Sequence, residues 1–382
     1  MPQHLKLFTP GPGDVDEDIL AVMAEPVIRH YGPEWMEVNN ETLSLLRQIL
    51  QTQNDVFIVP GPASALMDMA IGSLVETGQE MIAGSNGFFG DRLIDIAQGY
   101  GINVVPFTAP LGKPLEPAVL RRLLKEHPAV QVVALVHHET STTVMNPLRE
   151  LAEVVREAGK VIVVDTVSSL GGVELAVDEW AIDVCVTGAN KCLEALPGAG
   201  FISVSPAAWE LVDRQSGAGH GWYLNLRTWR KYGQEWGTWH PSPVTLPANN
   251  ILAVRASMRK IVRRGLEKHY GRYTHASQAV RRGLCNMGFE MFVPDEYAAP
   301  VVTAVKARPE FSVAELMEWL LKERGIAIGG ALGELSGKIF RVGHLGKAAE
   351  REYLVDFLFA VEEFLRYKGL NVPVGAALVG LK

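Results

Sequence analysis

Seven short apolar runs constrain this chain more than any other feature: Asp55–Val59, Glu80–Ala83, Asn103–Phe107, Gln131–Val136, Val161–Asp165, Asp183–Thr187 and Gly200–Ser203. Many are rich in Val and Ile without polar alternation, so the strands they form must be covered on both faces. Helical stretches lie between them at Ser64–Val75, Asp91–Tyr100, Pro117–Glu126 and Pro147–Ala158. This alternation predicts an α/β fold with a mainly parallel seven-stranded sheet and helices on both sides.

The rhythm changes near residue 246. Leu246–Arg264 and Tyr270–Met287 read as two long helices. After them come the apolar run Pro300–Val305, a helix over Val313–Arg324, a glycine-rich segment with a short strand Lys338–Val342, and a helix over Ala348–Tyr367. A smaller C-terminal α+β domain is expected. The 382 residues suit two domains. The expected division is an N-terminal segment 1–20, a large domain 21–255 and a small domain 256–382, with the boundary inside a long helix.

Composition narrows the partners. Apolar residues make up 48% and charged residues 21%, which rules out a disordered scaffold. With 36 basic and 43 acidic residues the net charge is −7, so there is no electrostatic case for nucleic acid or an acidic membrane. Three cysteines without metal spacing suit a reducing compartment. The N-terminus has no apolar signal core, and no apolar run reaches the roughly 18 residues of a membrane helix. A soluble cytoplasmic protein is expected. His137 and His138 are adjacent on a strand and point to opposite faces, so no metal is expected there.

In open α/β sheets, ligands sit at the carboxyl ends of the strands. Asp165 closes an all-apolar strand. It reads either as the cap of the next turn or as a buried carboxylate that needs a partner. Lys191 follows 26 residues later, after another strand and before the glycine-rich turn Pro197–Gly200. Alone it would read as a loop lysine. The pair is what pyridoxal phosphate chemistry needs: an aspartate to keep a pyridinium nitrogen protonated and a lysine to form a Schiff base. Pro60–Ala65 opens a helix and offers a phosphate cradle or a plain turn capped by Ser64. Gly84–Gly90 lacks dinucleotide spacing, and its Phe88 and Phe89 suit either the core or a stacking platform. The hydroxyls of Thr140–Thr142 end a strand. Arg341 offers a fork for a carboxylate or is an exposed edge-strand arginine.

In this order and spacing, the segments resemble the class V aminotransferases of the fold type I pyridoxal-phosphate architecture, in particular the alanine–glyoxylate and serine–pyruvate branch. The resemblance runs from Thr9–Pro12 through Ser85–Gly90, His138–Thr142, Asp165–Gly172 and Asn190-Lys191 to Gly337–Gly346 and the tail Pro373–Leu378. It implies pyridoxal 5′-phosphate as cofactor, with Lys191 as Schiff-base lysine and proton shuttle and Asp165 paired to the ring nitrogen. Val167 would pack under the ring, Phe89 above it, and Thr140 near its phenolic oxygen. Gly61, Pro62, Ala63 and Asn190 would surround the phosphate. Trp239 and Ser242 would approach it from a second subunit, which implies a homodimer. Arg341, Ser169 and Gly11 would bind the substrate. The implied reaction is ping-pong transfer from alanine or serine to glyoxylate or pyruvate.

Two departures bear on the substrate. The family's phosphate turn usually reads Ser-Gly-Thr or Ser-Gly-His, whereas here it is Gly61-Pro62-Ala63, and Pro62 supplies no N–H. The Gly188–Cys192 segment is similar to pyridoxamine–pyruvate aminotransferases, in which the pyridoxal species is a substrate. A cysteine desulfurase-type lyase is disfavoured, because Cys192 directly follows Lys191 and Cys285 falls inside a predicted helix. Retention of both Asp165 and Lys191 argues against a non-catalytic relative.

Overall fold

The computed structural model describes residues 5–216 and 221–381. All seven expected strands pair in one sheet, in the order Asp55–Pro60, Ala199–Val204, Val184–Gly188, Val161–Asp165, Val132–Val136, Glu80–Ser85, Asn103–Thr108. Only Ala199–Val204 runs against its neighbours; the other pairings are parallel. The lack of polar alternation is explained by two separate cores. Val133, Leu135, Ile162 and Val164 point into one, and Val132, Ala134, Val161 and Val163 into the other. Successive side chains of a strand point to opposite faces, so a run apolar at every position serves both.

Helices Ala63–Leu74, Phe88–Gly99, Pro117–Glu126 and Leu148–Glu157 fall within a residue or a few of the expected stretches. The sequence reading did not assign helix Pro33–Leu50, whose start is set by a proline in the first turn. The two long helices are Ala248–Arg264 and Leu266–Asn286. They are separated by Gly265 at φ +84, a left-handed conformation that glycine adopts without strain. Ile251, Val254, Met258 and Ile261 of the first pack into the core of the large sheet.

A second sheet has the order Lys6–Phe8, Ile326–Gly330, Ile339–Gly343, Val302–Lys306. Its edge strand comes from the other end of the chain: Lys6–Phe8 pairs in parallel with Ile326–Ile328. The N-terminal segment is thereby anchored on the C-terminal unit and continues toward the carboxyl ends of the large sheet. Leu266–Asn286, Val313–Arg324 and Arg351–Tyr367 contribute the apolar side chains that cover this sheet.

Candidate active site

At the carboxyl ends of the large sheet's strands lies a cavity of about 400 Å³. It is lined by Gly61, Pro62, Ala63, Phe89, Thr140, Asp165, Val167, Asn190 and Lys191, all identified from sequence. Each sits at or just beyond the end of a strand or opens the following helix. Parallel strands bring such positions to one edge, which is why residues scattered over 130 positions converge.

Asp165 ends its strand, and its Oδ1 accepts from the Val167 N–H at 2.8 Å. Burial pushes this carboxyl up to about 6, against the opposing effect of that hydrogen bond. Burial also pulls the Lys191 ammonium down to about 8. Lys191 Nζ donates to Pro10 O at 2.6 Å and to Ser168 Oγ at 3.4 Å. Gly11 lies against this side chain: a Cβ there would stand 2.3 Å from Lys191 Cε, and φ is +132. So Gly11 permits the N-terminal segment to cross the lysine closely.

Phe89 is held by a buried carboxylate. Glu139 Oε2 accepts from the N–H groups of Phe89 at 3.1 Å and Gly90 at 3.0 Å, while Oε1 accepts from Ser141 N at 3.0 Å and Ser141 Oγ at 2.5 Å. A negative group at a helix N-terminus is favoured by the unpaired N–H groups there. Burial nonetheless raises Glu139 above the usual carboxylate range. Arg92 stacks its guanidinium over the Phe88 and Phe89 rings at 5.2 and 5.0 Å and donates to Ser64 Oγ at 3.0 Å.

The turn at Gly61–Ala63 opens helix Ala63–Leu74. The Gly61 N–H already donates to Gly198 O at 3.0 Å, and Pro62 has none. The donors aimed from this turn are therefore the first-turn N–H groups of Ala63 and Ser64, which have no intrahelical partner, together with Arg92.

Arg341 is 6% exposed on strand Ile339–Gly343. Its Nε and Nη2 donate to Gly330 O at 2.9 and 2.7 Å, and Nη1 donates to Thr140 O at 2.9 Å. These bonds fix the guanidinium beside Thr140. Burial lowers its pKa, opposed by Glu139.

Five sequence-identified residues are not among those that line the cavity: Gly11 and Arg341 border it through Lys191 and Thr140, and three others lie elsewhere. Ser169 is fully buried and its hydroxyl donates to Thr166 O at 3.3 Å; the neighbouring Ser168 reaches the cavity instead. The turn after Asp165 sets which serine faces in, and periodicity does not reveal it. Trp239 is 45% exposed and packs with Trp236 and Tyr31. Ser242 is buried, and its hydroxyl donates to Val244 O at 2.9 Å. Neither lines the cavity within one chain. Trp35 is fully buried in the core and Tyr31 is at the surface.

Sequence reasoning missed Ser168, His138, Arg92 and Glu139. Ser168 Oγ lies 2.5 Å from Thr140 Oγ1. His138 lines the cavity; its Nδ1 faces Ser168 O at 3.0 Å and must carry the proton, which leaves Nε2 as an acceptor. Burial holds this ring neutral, near 3. Strand alternation puts His138 on the face of Thr140, and that signal was available.

The donor set fits one kind of group. The cavity offers a carboxylate raised by burial that needs a cationic partner, an amine lowered by burial, an aromatic ring, and a helix start with a guanidinium. The chain's residues 24–343 match the model of the aminotransferase class-V family. The crystal structure of ureidoglycine–glyoxylate aminotransferase from Bacillus subtilis superposes with a TM-score of 0.95 at 29% identity, over 100% of this chain and 98% of that one. That of an alanine–glyoxylate aminotransferase from Nostoc sp. gives 0.91 at 33% identity, over 96% and 97%. The pyridoxamine–pyruvate transaminase of Mesorhizobium japonicum is 25% identical over 97% of this chain and 94% of its own length.

Proposed function

Because the chain belongs to the class V aminotransferases, which work with pyridoxal 5′-phosphate, we propose that it moves the amino group of alanine or serine to glyoxylate or pyruvate in a ping-pong cycle. The observation that carries this reading is the pairing of Asp165 and Lys191 in one small cavity, flanked by Phe89 and Val167.

When bound, the cofactor supplies an electron sink for the substrate's Cα. Asp165 would hold the proton on the ring nitrogen, and its own raised pKa would be relieved by that cationic partner. Lys191, lowered to about 8 by burial, has a far larger neutral fraction at physiological pH than an ordinary lysine and takes the Cα proton at Nζ. Arg341 binds the substrate carboxylate and so aims the Cα–H bond toward Lys191. Ser168 and Thr140 give hydroxyls beside the amine. Ala63, Ser64 and Arg92 would hold the phosphate.

We assign the aromatic surface of Tyr31, Trp236 and Trp239 to contact with a second copy of the chain, with Trp239 and the segment that carries the buried Ser242 of one subunit completing the phosphate end of the other. The exposure of Tyr31 and Trp239, 44% and 45%, supports this. Three free thiols suit the cytoplasm. A second reading is a pyridoxamine–pyruvate aminotransferase. It is favoured by a phosphate turn in which Pro62 has no N–H and that of Gly61 is spent on Gly198.

The test is the absorbance spectrum of the purified protein, followed by separate additions of L-alanine, L-serine and pyridoxamine. The first reading expects a visible band that bleaches with alanine or serine. A colourless protein that converts pyridoxamine with pyruvate favours the second. A band that no amine changes removes both substrate assignments.

A further inference from the structure

Three residues beyond Lys191, Glu194 has φ +54. A non-glycine residue is uncommon in this left-handed region, and persists only where its surroundings hold it. Here the side chain supplies the reason. Glu194 is 9% exposed, and its Oε1 accepts from Arg272 Nη1 and from the Tyr273 hydroxyl, both at 2.7 Å. Its backbone N–H donates to Lys191 O at 3.0 Å and closes the turn that carries the lysine. Arg264 and His269 stand 4.0 and 3.9 Å from the same carboxylate. Arg264 donates to His269 Nδ1 at 2.7 Å, so the neutral ring keeps its proton on Nε2, facing Cys192 O at 3.4 Å. A buried carboxylate with this many partners is fixed in place.

Arg272 reaches further. Its Nη2 donates to Gly346 O at 3.3 Å, in the loop that leaves the strand of Arg341. One guanidinium therefore spans the Lys191 turn and the Arg341 loop. The N-terminal segment runs alongside: Gly13 N donates to Asn190 O at 3.0 Å, and Lys347 N donates to Asp14 O at 3.4 Å.

We infer that Arg272 is a positioning residue that holds the reactive amine and the carboxylate fork in register, with Glu194 as the anchor of the amine's turn. This rests on the roles given above to Lys191 and Arg341. A planar fork makes both contacts at once; a lysine at 272 keeps the pairing with Glu194 and gives up Gly346.

The test compares Arg272→Lys, Glu194→Gln and Arg341→Gln by steady-state kinetics per bound cofactor, together with melting temperatures. Arg272→Lys is expected to raise the amino-donor KM about threefold to tenfold, the size of one hydrogen bond, with kcat nearly kept. Glu194→Gln is expected to lower kcat, leave KM unchanged and reduce the fraction of cofactor that borohydride fixes to Lys191. A bridge that only stabilises the fold would lower melting temperature and cofactor content while KM and kcat per bound cofactor stayed at wild type. That result overturns the inference. Arg341→Gln separates the two claims. If it raises KM and Arg272→Lys does not, the bridge alone falls. If it leaves KM unchanged, the carboxylate assignment falls and takes the bridge with it.

Discussion

The two walls of the site are built differently. On the sheet wall, Gly61–Ala63, Asp165, Asn190 and Lys191 each lie within a few residues of a strand end. A second wall is built onto two of the lining residues by long-range contacts: Lys191 meets Pro10 from 181 positions away, and Arg341, which does not itself line the cavity, meets Thr140 from 201. The first wall is a consequence of parallel topology. The second exists only once the N-terminal segment and the C-terminal sheet have docked. On the proposed roles, the bond-changing groups sit on the first wall, while substrate fit and alignment fall to the second.

The largest effect should come from the sheet wall. Lys191→Ala is expected to abolish turnover and the visible band of the bound cofactor, because no other amine lines the cavity among the described residues. Retained activity in that variant would remove the mechanism. Next comes the docked wall. Arg341→Gln should raise the KM for amino acid and keto acid roughly tenfold to a hundredfold, since charged hydrogen bonds contribute about 1.5–3 kcal/mol. If kcat alone falls, the two walls do not divide the work as described. Gly11→Ala follows. A Cβ at φ +132 and 2.3 Å from Lys191 Cε forces the lysine or the N-terminal segment to move. The expected cost is about tenfold in kcat, in line with misplacing a reacting group. A wild-type rate would mean that the crossing of the lysine has no bearing on its use.

The same contrast explains what could be read in the sequence. Asp165, Lys191 and the Gly61–Ala63 turn were legible because a strand end is a local feature and the sheet's topology does the gathering. Phe89 was legible as an aromatic after a strand, but its clamp was not. Glu139 reaches the Phe89 N–H across 50 positions, and nothing local to either marks the pair. Ser169 and Ser168 differ only in how one turn rotates. The edge strand Lys6–Phe8 is three residues long and gains its place from Ile326–Ile328, so no run of its own could announce it. Glu194 carries a backbone conformation that sequence rules assign to glycine, and the buried partners that hold it come from a helix more than 70 positions away.

The last predicted effect, on stability, tests whether the sheet wall was shaped for ligand binding at the expense of stability. Asp165 has a carboxyl raised from 3.8 to about 6 by burial. A carboxyl raised on folding binds its proton more tightly in the folded state. Its contribution is present in full below the unfolded pKa near 4 and is lost as pH rises through about 6. The cofactor-free protein should therefore lose roughly 2–3 kcal/mol between pH 4 and pH 7 on account of this residue. Asp165→Asn removes that dependence, so the cofactor-free variant should melt higher than the cofactor-free wild type at pH 7 and equal it near pH 4. With cofactor the order should reverse, because asparagine cannot neutralise a cationic ring nitrogen. Melting curves at both pH values, with and without pyridoxal 5′-phosphate, check all four cases. If the variant is less stable than wild type in the absence of cofactor at pH 7, Asp165 is a structural cap, and the sheet wall gave up no stability to hold its ligand.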